Sequence, residues 1–278
     1  MGLRINTNMA AIAANRSLSH SSQNQAKTYE RLASGQRITS AGDDAAGLSI
    51  SENLRSQIRS MGMAERNAND GISFVQVAEG GLNEVGNILI RMRELGVQAA
   101  SDTVGDKERG FIDKEVQQLK SEIDRIANVT NYNGTNLLNG NAKELQFQVG
   151  IKKEEGGADR IMFNPAEFNV KSGEIGVSEL NFGSIDGARD SMDKVDGAMN
   201  KVLEARAKLG ATQNTLQSTV NNLGTAKENL SAARSRIADT DIAAETSELV
   251  RGNILQSAGV AVLAQANNTP MQALKLLN

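Results

Sequence analysis

The sequence predicts a mainly α protein: a long antiparallel coiled-coil helical bundle formed by the N- and C-terminal regions, with a small β-containing insert between them. Three observations carry that prediction. Two distant stretches share one seven-residue apolar period. The 278-residue chain is 3% aromatic, with no Trp and two Pro, a composition suited to long helices rather than to a core of large rings. From about 141 to 185 the period stops, and glycine, proline and charge collect.

The first repeat runs through Leu54, Met61, Ala68, Val75, Leu82 and Leu89, with a second row at Ala64, Ala78, Val85, Met92 and Ala99. The other runs through Val195, Val202, Leu209, Leu216, Leu223, Leu230 and Ile237, with Ala198, Ala205, Thr212, Thr219, Ala226 and Ala233 three residues beyond the first six. A strict seven-residue repeat keeps one stripe facing a partner along a supercoil. Val195 to Ile237 would form a rod about 65 Å long. Each stretch needs cover, so the two are expected to pack on each other, with the small Ala and Thr row permitting close approach.

A third helix is expected between them. Thr103 and Asp106 give its start signal, and Phe111, Val116, Leu119, Ile123 and Ile126 its stripe. Asn133–Gly134 and Asn139–Gly140 are turn dipeptides. "LQFQV" at 145–149 alternates as a strand does, with "RIMF" at 160–163 as its expected partner. The insert is expected at the far tip of the bundle. The outer ends carry weak stripes: Ile5, Met9 and Ile12, ending at Tyr29 and Leu32, and Ile242, Leu249, Ile254 and Ala261. Helices of this kind are marginal alone. Residues 1–42 and 238–278 are therefore expected to be a terminal helical domain, poorly ordered in the free monomer, with 43–140 and 186–237 as the long bundle and 141–185 as the insert.

Chemistry is scarce. "ITSAGDDAAGLS" at 38–49 spaces Gly42 and Gly47 as a phosphate loop does, but Leu48 stands where the lysine is needed, and Asp43 and Asp44 would repel phosphate. Adjacent carboxylates diverge, and no third acid completes a calcium loop. Asp43 or Asp44 is instead expected to cap the helix that carries Leu54, with Gly42 as the bend before it. The absence of Cys excludes thiol catalysis, disulfides and Cys-based metal sites, and His20 is the only histidine, in a polar stretch where exposure is expected. A net charge of −3 gives no footprint for nucleic acid; Arg55, Arg59 and Arg66 are interleaved with Glu52 and Glu65 as a mixed face. No apolar run reaches the 18 residues of a transmembrane segment, and the N-terminus lacks the apolar core of a secretory signal, so export would need a route without signal cleavage. No acid, base and nucleophile come together, so no enzyme, cofactor or metal site is expected.

Several ordered motifs resemble bacterial flagellins. "MGLRINTNMAAIAANRSL", "LASGQRITSAGDDAAGLSISENLRSQIRSM", "NANDGISFVQVAEGGLNEV", "RMRELGVQAA" and "EIDRIANVTNYNGTNLLNG" are similar to their N-terminal region. "LGATQNTLQSTVNNLGTAKENLSAARSRIADTDIAAETSELVRGNILQSAGVAVLAQAN" is similar to their C-terminal region. The likeness covers about 1–150 and 185–278. It implies an exported structural subunit of the flagellar filament: terminal helices line the channel, the bundle forms the wall, and the insert faces outward. It also implies the partners: copies of the same protein or paralogues, a distal cap protein, hook–filament junction proteins, a cytoplasmic export chaperone, and a host innate immune receptor. Arg91, Leu95 and Glu115 match positions implied in protofilament or receptor contact, while Gly96 stands where many relatives carry alanine or another small residue. A hook–filament junction protein shares part of this likeness, and a cytoplasmic coiled-coil adaptor would share only the heptads.

Overall fold

A computed structural model describes residues 7–152 and 159–275. Six α-helices are described: α1 Met9–Ser34, α2 Ala45–Ala99, α3 Asp106–Val129, a single turn α4 Ser172–Ile175, α5 Ile185–Ala238 and α6 Ile242–Lys275. Four short strands lie between α3 and α4: β1 Asn131–Tyr132, β2 Thr135–Asn136, β3 Leu145–Gln148 and β4 Arg160–Phe163. The predicted fold class is the observed one. The protein divides into two compact units, Gln57–Glu228 and the combined ends, Met1–Ser56 with Asn229–Asn278.

In the larger unit, α2 and α5 run antiparallel. Glu65 pairs with Lys227 at 3.0 Å, Glu79 with Arg206 at 3.8 Å and Arg93 with Asp196 at 2.6 Å, so numbers rise on one helix as they fall on the other. The heptad rows fill the interface. Ala68, Val75, Leu82, Val85, Leu89 and Met92 of α2 are fully buried, as are Val195, Leu209 and Leu216 of α5, with Val202 almost so. Met61 and Leu223 are half-buried.

Helix α3 returns along this pair. Its sharp connection is fastened by Arg109, only 4% exposed, which donates to the Ala99 and Ser101 carbonyls at 2.9 Å each and to Asp106 at 2.7 Å. The N-cap is Gly105, not Thr103, whose hydroxyl bonds Ser101 instead. The predicted stripe is also one residue off at its start. Ile112 is buried, and Phe111 is 60% exposed beneath the Lys114 ammonium at 5.8 Å. Positions 109, 112, 116, 123 and 127 share one face. Phe111 is rotated about 100° from Ile112 around the axis.

The insert corrects a second expectation. Strands β3 and β4 pair antiparallel, Leu145 opposite Phe163 and Phe147 opposite Ile161, as the alternation predicts. They do not sit at the bundle's far tip. Asn67 of α2 donates to the Gln148 carbonyl at 3.0 Å, and Phe74 of α2 meets Tyr132, Phe147 and Phe163 edge-on at 5.6, 5.6 and 5.0 Å. Phe163 stacks on Phe168 at 5.0 Å. Five of the protein's eight Phe and Tyr rings thus gather where the insert lies along α2, a favoured use of aromatic area. Beyond β4 an irregular strap buries Val170, Ile175, Val177, Leu180 and Phe182 in the same core. Its backbone polar groups are met by side chains: Asp124 accepts from Ser172 N at 2.8 Å, Asp113 accepts from Phe182 N at 3.0 Å, and Lys201 donates to the Glu174 carbonyl at 2.7 Å. Such an uncovered backbone needs these partners to lie buried.

Candidate assembly surface

The other unit is built differently. Asn8 caps α1 by accepting from Ala11 N at 3.1 Å, and Gly35 closes it with φ +69°, donating to Arg31 O at 2.8 Å. Helix α6 lies antiparallel to α1. Asn8 donates to the Ala266 carbonyl at 2.8 Å, Gln25 bonds the Asn253 side chain, and Arg31 stands 3.7 Å from Glu245. The less exposed positions of α1 recur three and four apart, at Ala11, Ala14, Leu18, Ser21, Gln25 and Thr28. Those of α6 do likewise, at Leu249, Gly252, Gln256, Gly259 and Leu263. Gly259 faces Leu18, and Gly252 faces Gln25.

This seam holds mostly small and polar residues. Leu18, Leu249 and Leu263 are its large members, while most of the large apolar side chains remain exposed: Met9, Ile12 and Tyr29 on α1, and Ile242, Val250, Ile254, Leu255, Val260 and Val262 on α6. The predicted terminal stripes therefore divide. Leu249 belongs to the α1–α6 seam; Met9, Ile12 and Ile254 belong to the outer face; Ile5 lies outside the described residues. Exposed apolar side chains in this number make the pair a candidate interaction surface.

Between α1 and α2 lies the loop holding Gly42, Asp43 and Asp44. Asp44 caps α2, accepting from Gly47 N at 2.8 Å. Asp43 gathers the loop itself. It accepts from Thr39 Oγ1 at 3.0 Å, from Ser40 N and Oγ at 3.2 Å each, and from Lys27 Nζ of α1 at 3.2 Å. The Thr39 hydrogen bond first, then Lys27 and Ser40, hold its carboxyl well below the usual carboxylate range. A Cβ at Gly42 would make only an ordinary contact, 3.7 Å from Ser40 Oγ; the steric demand falls on Gly47, where a Cβ would stand 2.7 Å from Ile38 Cδ1. The backbone then bridges to the far end of α5. Arg37 N donates to Ala238 O at 2.7 Å, and its guanidinium to Ile237 O at 2.6 Å. Leu54, Leu230 and Ile237 are half-buried in this unit.

On the bundle, Arg91 donates to Glu115 at 3.0 Å and to Glu94 at 3.1 Å. These hydrogen bonds, that of Glu94 first, push the guanidinium pKa up. Arg91 and Glu115 are exposed, whereas Leu95 is 2% exposed and belongs to the core, so it is not part of the face they present. A Cβ on neighbouring Gly96 would meet Met192 Cγ at 2.8 Å and Phe182 Cε1 at 3.0 Å, which explains a residue smaller than alanine. Sequence reasoning missed Arg109 and the strap; the arginine's signal was its place three residues after Asp106 in a tight connection.

Among the described residues no group of three or more His, Cys, Asp or Glu is arranged to hold a metal ion, and no helix is long and apolar enough to cross a membrane. His20 lies exposed on α1.

Two family profiles match the protein: the bacterial flagellin N-terminal helical region over residues 5–143 and the bacterial flagellin C-terminal helical region over 192–277. It is 42% identical over 273 residues to a flagellin of Halalkalibacterium halodurans, covering 98% of this sequence and 99% of that one. It is 43% identical over 303 aligned positions to a flagellin of Bacillus subtilis, covering 99% and 100%. The crystal structure of Bacillus cereus flagellin is similar with a TM-score of 0.50 and 32% identity, over 57% of this protein and 88% of that one.

Proposed function

The chain belongs to the bacterial flagellin family and is a structural subunit of the extracellular flagellar filament, and from that premise we propose how its parts divide the work. Motility is the function implied by the family. Residues 1–42 and 238–278 are the polymerising ends, packing into the filament core and lining its channel. Residues 43–140 with 186–237 form the surrounding wall, and 141–185 faces outward. The observation that supports this is the inverted α1–α6 pair: small residues inside, Ile254, Leu255, Val260 and Met9 outside.

A lone subunit gains little from ordering such a pair, because the seam buries few large side chains. Neighbouring copies supply the missing cover, and burying one Ile or Leu contributes about 1.5–3 kcal/mol. That gain offsets the ordering entropy at the growing tip and not in dilute solution. The distal cap protein, hook–filament junction proteins and an export chaperone are proposed partners of these same ends. The exposed Arg91–Glu115 pair is a proposed contact along a protofilament or with an innate immune receptor.

Seeded assembly tests the proposal. Full-length protein added to filament fragments should extend them, and a variant lacking residues 1–40 should not. Tubes that grow equally well from the truncated variant would contradict it.

A further inference from the structure

Asn-Gly occurs twice in this protein, at 133–134 and 139–140, and the fold treats the two oppositely. Asn133 and Gly134 are the two-residue tip of the β1–β2 hairpin, with φ of +47° and +78°. Both are exposed. Among the described residues the Asn133 carboxamide makes no hydrogen bond, and the Gly134 N–H donates to none outside the strand ladder. Each strand of the hairpin is two residues long, so local opening costs little.

Asn139 is 5% exposed, and its Oδ1 accepts from Asn141 N at 3.0 Å. It follows Leu137 and Leu138, both fully buried, and the Asn169 amide fills the space beside Gly140. Freeing its carboxamide requires moving part of the core.

We propose that Asn133 is a site of spontaneous deamidation and isoaspartate formation, and that the fold shields Asn139 from the same reaction. Glycine has no Cβ to obstruct its own nitrogen. The Gly134 amide nitrogen gives up its proton to water or hydroxide and attacks Asn133 Cγ. A C–N bond forms, the Cγ–Nδ2 bond breaks, and ammonia leaves. Water then opens the resulting succinimide. Cleavage of the bond from the ring nitrogen to Cγ gives Asp. Cleavage of the bond from that nitrogen to the Asn133 backbone carbonyl carbon gives isoaspartate. No oxidation occurs.

The product matters to the bundle. Isoaspartate lengthens the backbone by one carbon at a turn whose two positive φ values set the hairpin's twist. The flanking Thr130 and Leu138 pack on Gly81 of α2 so closely that a Cβ there would stand 2.8 and 2.7 Å from them.

The test is to incubate the full-length folded protein at mildly alkaline pH and follow both sites by tandem mass spectrometry, with isoaspartyl methyltransferase labelling. The same protein in denaturant serves as the reference. Asn133 should convert roughly tenfold or more faster than Asn139 when folded, the gap expected when one site opens locally and the other only with the core, and the gap should close in denaturant. Asn133→Gln should remove the fast phase, because the extra methylene disfavours ring closure. Equal folded rates, earlier loss of Asn139, or an inert Asn133 while the denatured protein reacts would each overturn the proposal.

Discussion

The unit at 57–228 and the terminal pair use the same three-and-four spacing with opposite sorting by size. On α2 and α5 the large residues, Leu82, Leu89, Leu209 and Leu216, face the partner helix and are fully buried. On α1 and α6 the facing positions are mainly Ala, Ser, Gly and Gln, while Ile254, 63% exposed, and Leu255 face out. Helical periodicity alone therefore does not say whether a fold is complete. The bundle supplies its own cover. The terminal pair leaves large apolar side chains exposed, and in the proposed function another copy covers them.

Substitutions should separate the two. The largest effect is expected at Phe163→Ala, which removes a ring at 2% exposure from the cluster around Phe74 and should cost about 3–5 kcal/mol. Chemical denaturation of the monomer, followed by a bundle signal, would record it. Leu209→Ala should fall in the same direction at about 2–5 kcal/mol.

Ile254→Ser should do the reverse. Monomer stability should move by no more than about 0.5 kcal/mol. Assembly should lose about 1.5–3 kcal/mol per subunit. Each 1.4 kcal/mol is tenfold, so the critical concentration in seeded growth should rise by roughly tenfold or more. A monomer as destabilised as the Phe163 variant would place Ile254 in the subunit's own core instead.

Gly96→Val should act on the bundle alone. Its new methyls meet Met192 and Phe182, and overpacking of this kind costs about 1–3 kcal/mol in monomer melting. The smallest effect is expected at Asp43→Asn. The folded Asp43 carboxyl titrates below its ordinary value, so its contribution is present above the ordinary carboxylate pKa and is lost as pH falls through the lowered one. The wild-type junction should loosen on acidification, and the variant should lose that acid-dependent step. Proteolysis near residues 36–43, followed against pH, would measure both.

Much of this was legible in the sequence. The heptad rows coincide with fully buried positions from Ala68 to Met92 and at Val195, Leu209 and Leu216, because a buried stripe must repeat where two helices cross shallowly. The β3–β4 alternation and the Asn133–Gly134 turn were equally local signals, and the cap was legible as Asp43 or Asp44, of which Asp44 fills the role. The misses have physical causes. Phe111 is large and apolar, but it is one residue out of phase with a short stripe. The strap's Phe168, Val170, Ile175, Val177, Leu180 and Phe182 follow no period because its backbone is irregular and is satisfied by Asp124, Asp113 and Lys201. Its place in the core could not be read from spacing. Leu95 follows Arg91, Arg93 and Glu94 in sequence but is buried once the helix turns. The two faces of α6 were not separable, because size usually marks the inner face and here marks the outer.

Amide hydrogen exchange of the full-length protein, compared between dilute monomer and assembled filament, tests the central claim most directly. Residues 9–34 and 242–269 should exchange quickly in the monomer and become protected in the filament, while the helical segments of 57–228 stay protected in both. Terminal helices as strongly protected in the dilute monomer as α2 around Leu82 would contradict it.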